Sequence, residues 1–264
     1  MSKSFDIIGS KEKSVAIVEI SEEEGNREKE IANKIMKENK SVKSVLKKES
    51  HRKGDYRTRR YAILAGDENT EVVHREHGYF LKLDPQKVYF SSREGTERQR
   101  IANCVEPGEL VMVMFAGVGP YAIAIAKTQP DVKKIISVEI NPIAVEYMKH
   151  NIRINRLSHK VVPALGDVRE ICKKWYGECD RILMPLPLGA ESFLDIAVKC
   201  AKIGATIHFY GWGNKADGDV FLAAEKSVNK SLKKMGRKYK IIKKRVVLPY
   251  APGRFKVCIE FNVL

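Results

Sequence analysis

The sequence predicts an α/β protein in two units: a small α/β unit over residues 1–90, then a Rossmann-like, doubly wound and mostly parallel sheet over residues 91–264. Three observations carry this. From about residue 100 the pattern runs strand, glycine turn, helix, strand, the alternation that builds a parallel sheet with helices on both faces. Its first strand, Leu110 to Phe115, is a continuous apolar run, as expected of a strand buried on both sides. Before residue 90, short strands accompany a single amphipathic helix and a hairpin.

The elements follow in order. Ser14 to Ile20 alternates like a strand, with Ala16, Val18 and Ile20 on one face. Glu22 to Asn39 carries Ile31, Ile35 and Met36 at helical spacing. Val42 to Leu46 and Tyr61 to Gly66 read as strands, and residues 70–74 and 79–83 as a hairpin around His77-Gly78. The change of pattern falls near residues 85–95. Beyond it, Gly117-Val118-Gly119-Pro120 breaks the Leu110 strand and Tyr121 to Lys127 resumes helically. Lys134 to Ile140 is the next strand; Asn141 caps a helix with Pro142 at its first position, running to about Asn151. Residues 181–184, 205–210 and 255–261 supply later strands.

The chain has 264 residues and 48 Lys+Arg against 33 Asp+Glu, a formal net charge of +15. A hydrophobic fraction of 44% beside 31% charged residues excludes wholesale disorder. No apolar run approaches the roughly 18–20 residues of a membrane helix, and Met1-Ser2-Lys3-Ser4 opens no signal peptide, so a cytoplasmic location and no membrane partner are expected. The charge is clustered. Nine of the sixteen residues from Lys230 to Arg245 are basic, and a second group runs from Lys47 to Arg60. A polyanionic phosphate backbone fits such clusters, and so does a solvated surface. The five cysteines show no CxxC pair and no zinc-finger spacing, so reduced thiols and no metal are expected, with Cys104 and Cys258 as core residues.

Four candidate site segments lie where strands should end. The glycine turn Phe115-Ala116-Gly117-Val118-Gly119 lets backbone approach a ligand before a helix N-terminus. Tyr121 and Ala122 stand near the place of a third fingerprint glycine, which argues against a nicotinamide dinucleotide. Glu139, twenty residues after Gly119, can accept hydrogen bonds from a ribose hydroxyl pair, or be a surface acid opening a loop. Asp167, after Gly166, can reach an adenine amino group. Met184-Pro185-Leu186-Pro187 stops its strand in a rigid loop suited to a flat base, or in a merely stiff turn. Together these indicate a nucleoside cofactor at the carboxyl edge of the sheet.

Several phrases in one order resemble the archaeal and eukaryotic tRNA (guanine-37-N1)-methyltransferase family. They are Met114 to Pro120, Val138-Glu139-Ile140-Asn141-Pro142, Gly166-Asp167-Val168-Arg169-Glu170, Lys87 to Arg93 through Thr96-Glu97-Arg98, Tyr250-Ala251-Pro252, and Gly54 to Arg59 in the small unit. The resemblance implies a class I methyltransferase domain using S-adenosylmethionine, with a small unit that helps grip tRNA. It would place Ser91, Arg98, Phe115, Ala116, Gly117, Val118, Gly119, Glu139, Ile140, Asn141, Asp167, Val168 and Pro187 around the cofactor. It would make Glu97 the general base towards guanine N1, with Arg57 steadying charge on guanine O6 and Pro185 beside the target base. The chain departs from the family at three places. Val113 stands where an aspartate usually orients the cofactor's methionine end, and Pro185 where an asparagine usually stands. An extra N-terminal domain found in many members is not expected. The related wybutosine-pathway aminocarboxypropyl transferase shares the fold and the short architecture, while Gly117 to Pro120 and Leu186-Pro187 look like the methyltransferase. A non-catalytic tRNA-binding paralogue is the remaining expectation.

Overall fold

The computed structural model describes residues 5–50, 54, 56 and 59–264. Four strands form the first sheet: β1 (Phe5–Gly9), β2 (Ser14–Val18), β3 (Val42–Lys48) and β4 (Tyr61–Gly66), in that order across it. β2 and β3 are parallel, and helix α1 (Glu28–Glu38) makes the crossover, packing Ala32 and Ile35 on Val18, Val42 and Val45. The helix expected from Glu22 starts six residues later. Glu22–Arg27 winds as a 3-10 turn around Gly25, whose backbone freedom disfavours an α-helical start. Both faces of β2 are buried, so its alternation reflects two cores rather than one wet face.

A hairpin follows, β5 (Val72–Glu76) and β6 (Tyr79–Leu83), turning on His77 and Gly78, both with positive φ. Two residues of that sign make the tight turn whose twist matches paired strands. Its free edge is claimed by helix α4 (Pro142–Ile154) and the residue after it. The Asn151 amide accepts from Lys82 N at 2.6 Å and donates to Lys82 O, and Asn155 does the same to Phe80 at 3.0 and 2.7 Å. Two side-chain amides thus stand in for a neighbouring strand.

The large sheet has seven strands in the order β12-β13-β11-β10-β7-β8-β9. These are β7 (Leu110–Met114), β8 (Lys134–Glu139), β9 (Val161–Leu165), β10 (Cys179–Met184), β11 (Ala201–Asn214), β12 (Tyr239–Ala251) and β13 (Arg254–Val263). β9 through β11 are parallel; β13 runs antiparallel between β11 and β12. β7 is buried throughout, as its apolar run predicted, with Val111 and Val113 in one core and Met112 and Met114 in the other. Helices α2 (Gly95–Ala102), α3 (Pro120–Thr128), α6 (Leu194–Cys200) and α7 (Leu222–Lys234) cover the faces, and α5 (Val168–Ile171) is one turn. The core holding Val111 also takes in Ile8, Val15, Ile17 and Leu46, so the first sheet packs into the same apolar mass.

The basic stretch from Lys230 to Arg245 divides between the end of α7 and the edge strand β12, where Lys240, Lys243, Lys244 and Arg245 are exposed. Charged side chains on a sheet edge oppose pairing with another chain. All five cysteines are free thiols; Cys258 is buried as expected, but Cys104 is only partly so, because it lies in the turn after α2. Among the described residues no helix is long and apolar enough to cross a membrane.

Candidate functional site

Successive strands wind outwards from β7 in opposite directions, to β8 and β9 on one side and to β10 and β11 on the other. Loops diverge at such a switch point and leave a crevice beyond the strands' carboxyl ends. A cavity of about 440 Å³ lies there, within the size range of small-molecule sites.

On its β8 side Glu139 ends the strand with both carboxylate oxygens fixed by backbone: Oε1 accepts from Asn141 N at 2.8 Å and Oε2 from Gly117 N at 2.7 Å. Burial raises its pKa above the ordinary carboxyl value despite these N–H groups. Gly117 has φ of +56°, and a Cβ there would stand in ordinary contact with Tyr89 O at 3.8 Å, so the backbone angle rather than crowding calls for glycine. Gly119 has φ of +86°, and a Cβ there would stand 2.9 Å from Met148 Cγ, so this glycine serves helix packing. Phe115, with φ of +57°, adopts a left-handed backbone that a bulky residue rarely takes, and its ring meets Phe193 edge-on at 5.0 Å.

The cavity brings together Ser91, Arg98, Phe115, Ala116 and Gly117, then Glu139, Ile140 and Asn141, and across from them Pro185 and Pro187. Other expected residues stand off it. Val118 and Val168 are core side chains, and Gly119 caps α3. Asp167 caps α5, accepting from Arg169 N at 2.8 Å and from Arg169 Nη1 at 3.2 Å, and does not line the cavity. Val113 is fully buried. Arg57 lies outside the described residues; Tyr56 beside it lines the cavity.

Glu97 is also buried and outside the lining, one helical turn behind it. Arg100 grips its carboxylate with two hydrogen bonds of 2.8 and 2.7 Å, and Tyr210 donates at 2.6 Å. Arg100 reaches on to Glu260 at 2.5 Å. Deeper in the same face, Arg181 Nη1 lies 2.8 Å from His208 Nε2. A guanidinium only donates, so Nε2 accepts, and burial followed by the charges of Arg181 and Arg100 keeps this histidine neutral.

Several lining residues were not among the expected site residues, although Tyr250 lies in the Tyr250-Ala251-Pro252 phrase that carries the resemblance. Glu94, which precedes α2, receives Lys256 Nζ at 2.8 Å and the hydroxyls of Tyr89 and Tyr121 at 3.2 and 3.5 Å. Burial pushes its carboxyl up, but the Lys256 ammonium outweighs this and holds it below its ordinary value. Trp212 and Tyr250 meet at 4.5 Å between ring centroids, an aromatic wall beside this pair. The first sheet contributes Asp6, Glu19 and Lys48 to the rim. Only the ends of β11 to β13 could have hinted at these positions, since motifs at a glycine turn carry no information about a strand a hundred residues later.

A family model described as "TRM5/TYW2 methyltransferase domain" matches residues 72–242, and one described as "TYW2 N-terminal domain" matches residues 1–70. The tRNA (guanine(37)-N(1))-methyltransferase Trm5b of Pyrococcus abyssi is 43% identical over 260 residues, covering 98% of this chain and 74% of its own. Its crystal structure superposes with a TM-score of 0.87 at 42% identity, over 99% of this chain and 75% of that one. The structure of a complex of aTrm5 and tRNALeu gives 0.84 at 36% identity, over 98% and 71%. A tRNA(Phe) (4-demethylwyosine(37)-C(7)) aminocarboxypropyltransferase of Methanocaldococcus jannaschii is 31% identical over 218 residues, 83% of this chain and 85% of its own. M. jannaschii TYW2 in complex with AdoMet superposes at 0.72 and 26% identity, over 99% of this chain and all of that one.

Proposed function

Because the chain belongs to the TRM5/TYW2 methyltransferase family, we propose that it transfers a methyl group from S-adenosylmethionine to N1 of guanosine 37 in tRNA. The observation that carries this reading is the carboxyl-edge cavity, in which a backbone-fixed acid and a glycine turn face a proline loop and an aromatic wall. The donor set fits the cofactor. Glu139 keeps lone pairs for a ribose hydroxyl pair, Gly117 lines the cavity without a side chain, and Ile140 and Pro187 offer apolar walls for the adenine. Ser91, Arg98, Phe115, Ala116 and Asn141 complete that end, and Asp167, which follows β9, is assigned to the adenine amino group. When bound, S-adenosylmethionine supplies an electrophilic methyl group on sulfur.

The chain's own residues then have to seat a guanine and take one proton. Trp212 and Tyr250 offer ring faces to a base turned out of the anticodon loop, and Pro185 makes a rigid opposing edge without an N–H to compete for it. Glu97 is the carboxylate that would take the guanine N1 proton, leaving the nitrogen lone pair free for the methyl group. The exposed basic groups of β12 and of the end of α7 form a track for phosphates, and the small unit's basic cluster forms a second, within which Arg57 is assigned to steady charge at guanine O6. This reading places the protein in the cytoplasm with tRNA as its partner.

Mass spectrometry of guanosine-37 tRNA after incubation with protein and S-adenosylmethionine tests it: one added methyl on that base is the expected product. The match of residues 1–70 to a TYW2 N-terminal domain favours a second reading, transfer of the aminocarboxypropyl group, which the same measurement on tRNA carrying 4-demethylwyosine at position 37 reads as a larger gain. No product with either base, together with tRNA binding, would leave a non-catalytic binding paralogue.

Cofactor affinity should also depend on pH. Ribose hydroxyls donate to the ionised Glu139, so affinity is full above its pKa and is lost as pH falls through it. Because burial raises that pKa, the loss should begin above the ordinary carboxyl range near about 4.3. Titration calorimetry across this range checks it, with Glu139→Gln expected to bind weakly and with no such pH dependence.

A further inference from the structure

Four cations among the described residues line the cavity, and three are committed elsewhere. Lys48 pairs with Glu19 at 2.5 Å, and Arg93 pairs with Asp6 at the exposed rim. Arg98 is held by Glu76 through two hydrogen bonds and by Ser91 O, so its charge is already matched by a buried carboxylate. Lys256 differs. It is only 2% exposed, its ammonium has three N–H bonds, and Glu94 takes one of them. The ammonium also stands over the Tyr210 ring face, 4.8 Å from Nζ to the centroid.

The position of Lys256 along the sheet edge says what it faces. Glu139 ends β8, the turn at Gly117 follows β7, Pro185 follows β10, and Trp212 on β11 is in register with Lys256 on β13. At about 4.8 Å per strand, Lys256 and Glu139 stand roughly 19 Å apart across the edge, with the proline loop between them. The nucleoside-binding acid holds one end and the ammonium beside two aromatic rings holds the other. A buried ion pair is weak support for stability, because desolvation offsets most of its attraction. A pair kept at a cavity wall with unspent donors is instead arranged for a ligand.

We infer that Lys256 is a further catalytic residue that donates to O6 of the target guanine on the lone pair not taken by Arg57, and that Glu94 is a positioning residue that fixes its ammonium. The inference rests on the methyl-transfer reading given above. When N1 loses its proton, negative charge spreads over N1 and O6, so a fixed cation at O6 favours the deprotonated base more than the neutral one. Guanine differs from adenine in presenting an acceptor at that position, so the same contact selects the base.

The test measures tRNA affinity and methylation with guanine or 2-aminopurine, which lacks O6, at position 37. Lys256→Met should narrow the wild-type preference for guanine in binding by about tenfold, the scale of one good base contact. At saturating tRNA it should slow single-turnover methylation about a hundredfold, with S-adenosylmethionine affinity unchanged. Lys256→Arg should recover part of both losses, and Glu94→Gln should show a smaller loss of the same kind. The double substitution Glu94→Gln with Lys256→Met removes both charges, so a folded protein remains to be measured if the single change strands a buried carboxylate. An unaltered guanine preference in folded Lys256 variants overturns the inference while leaving methyl transfer intact, as does a loss confined to cofactor affinity. A wild-type protein that neither methylates nor prefers guanine overturns both.

Discussion

Glu97→Gln should lower single-turnover methylation by roughly 10²–10⁴-fold with little change in tRNA affinity, the range for loss of a positioned general base. The substitution keeps the side chain's shape, and the Tyr210 hydroxyl can still donate to its oxygen. Arg100 is not stranded either, since Glu260 continues to pair with it at 2.5 Å. The expected loss is therefore chemical rather than structural, falling on kcat and not on binding. Two acids stand one turn apart at this point, Glu94 in the cavity wall and Glu97 behind it. Comparison with Glu94→Gln separates them. An Glu97→Gln protein that methylates at the wild-type rate would remove this residue from the proton transfer and leave the cavity-facing acid as the candidate.

The second large effect concerns stability. Arg98 and Glu76 form a doubly hydrogen-bonded pair, at 2.8 and 2.5 Å, joining α2 to the hairpin, and Arg98 is only 2% exposed. His74 and Tyr79 also bond the same carboxylate. Arg98→Met should destabilise the fold by about 3–5 kcal/mol, because it leaves Glu76 buried without its counter-ion. Denaturant unfolding measures this, and adding Glu76→Gln should recover much of the loss by removing the stranded charge. If the double variant is no more stable than the single one, the cost lies in lost packing and not in the orphaned carboxylate. The same pair sets a pH dependence. Burial raises the Glu76 pKa, but its partners, Arg98 foremost, outweigh this and hold it well below the usual carboxyl range. Its contribution is thus present above the unfolded pKa near about 4.3 and is lost progressively as pH falls below that value.

The fold was legible wherever the physical signal is local. An apolar run, a positive-φ glycine turn and an Asn-Pro helix start each act within a few residues, and β7, α3 and α4 stand where these signals place them. α1 starts later than its periodicity predicts, because periodicity does not register the backbone cost at Gly25. β12 was hidden inside a basic run. An edge strand with one face in water carries lysines where an inner strand would carry apolar residues, and the alternation that marks strands is lost. β1 is short and was missed for want of any period.

The sequence by itself determined the α/β class and the carboxyl-edge segments from Phe115, Glu139 and Pro185, because a strand followed by its own loop positions those residues whatever the rest of the chain does. Only the tertiary structure decided which of the 48 basic residues face the cavity and which acids face them. Lys256 meets Glu94 across 162 positions of sequence, and Arg100 meets Glu260 across 160. Both meetings depend on β13 inserting antiparallel between β11 and β12 and on α2 packing across that face. Strand order is set by the summed packing of two cores, so no local pattern encodes it.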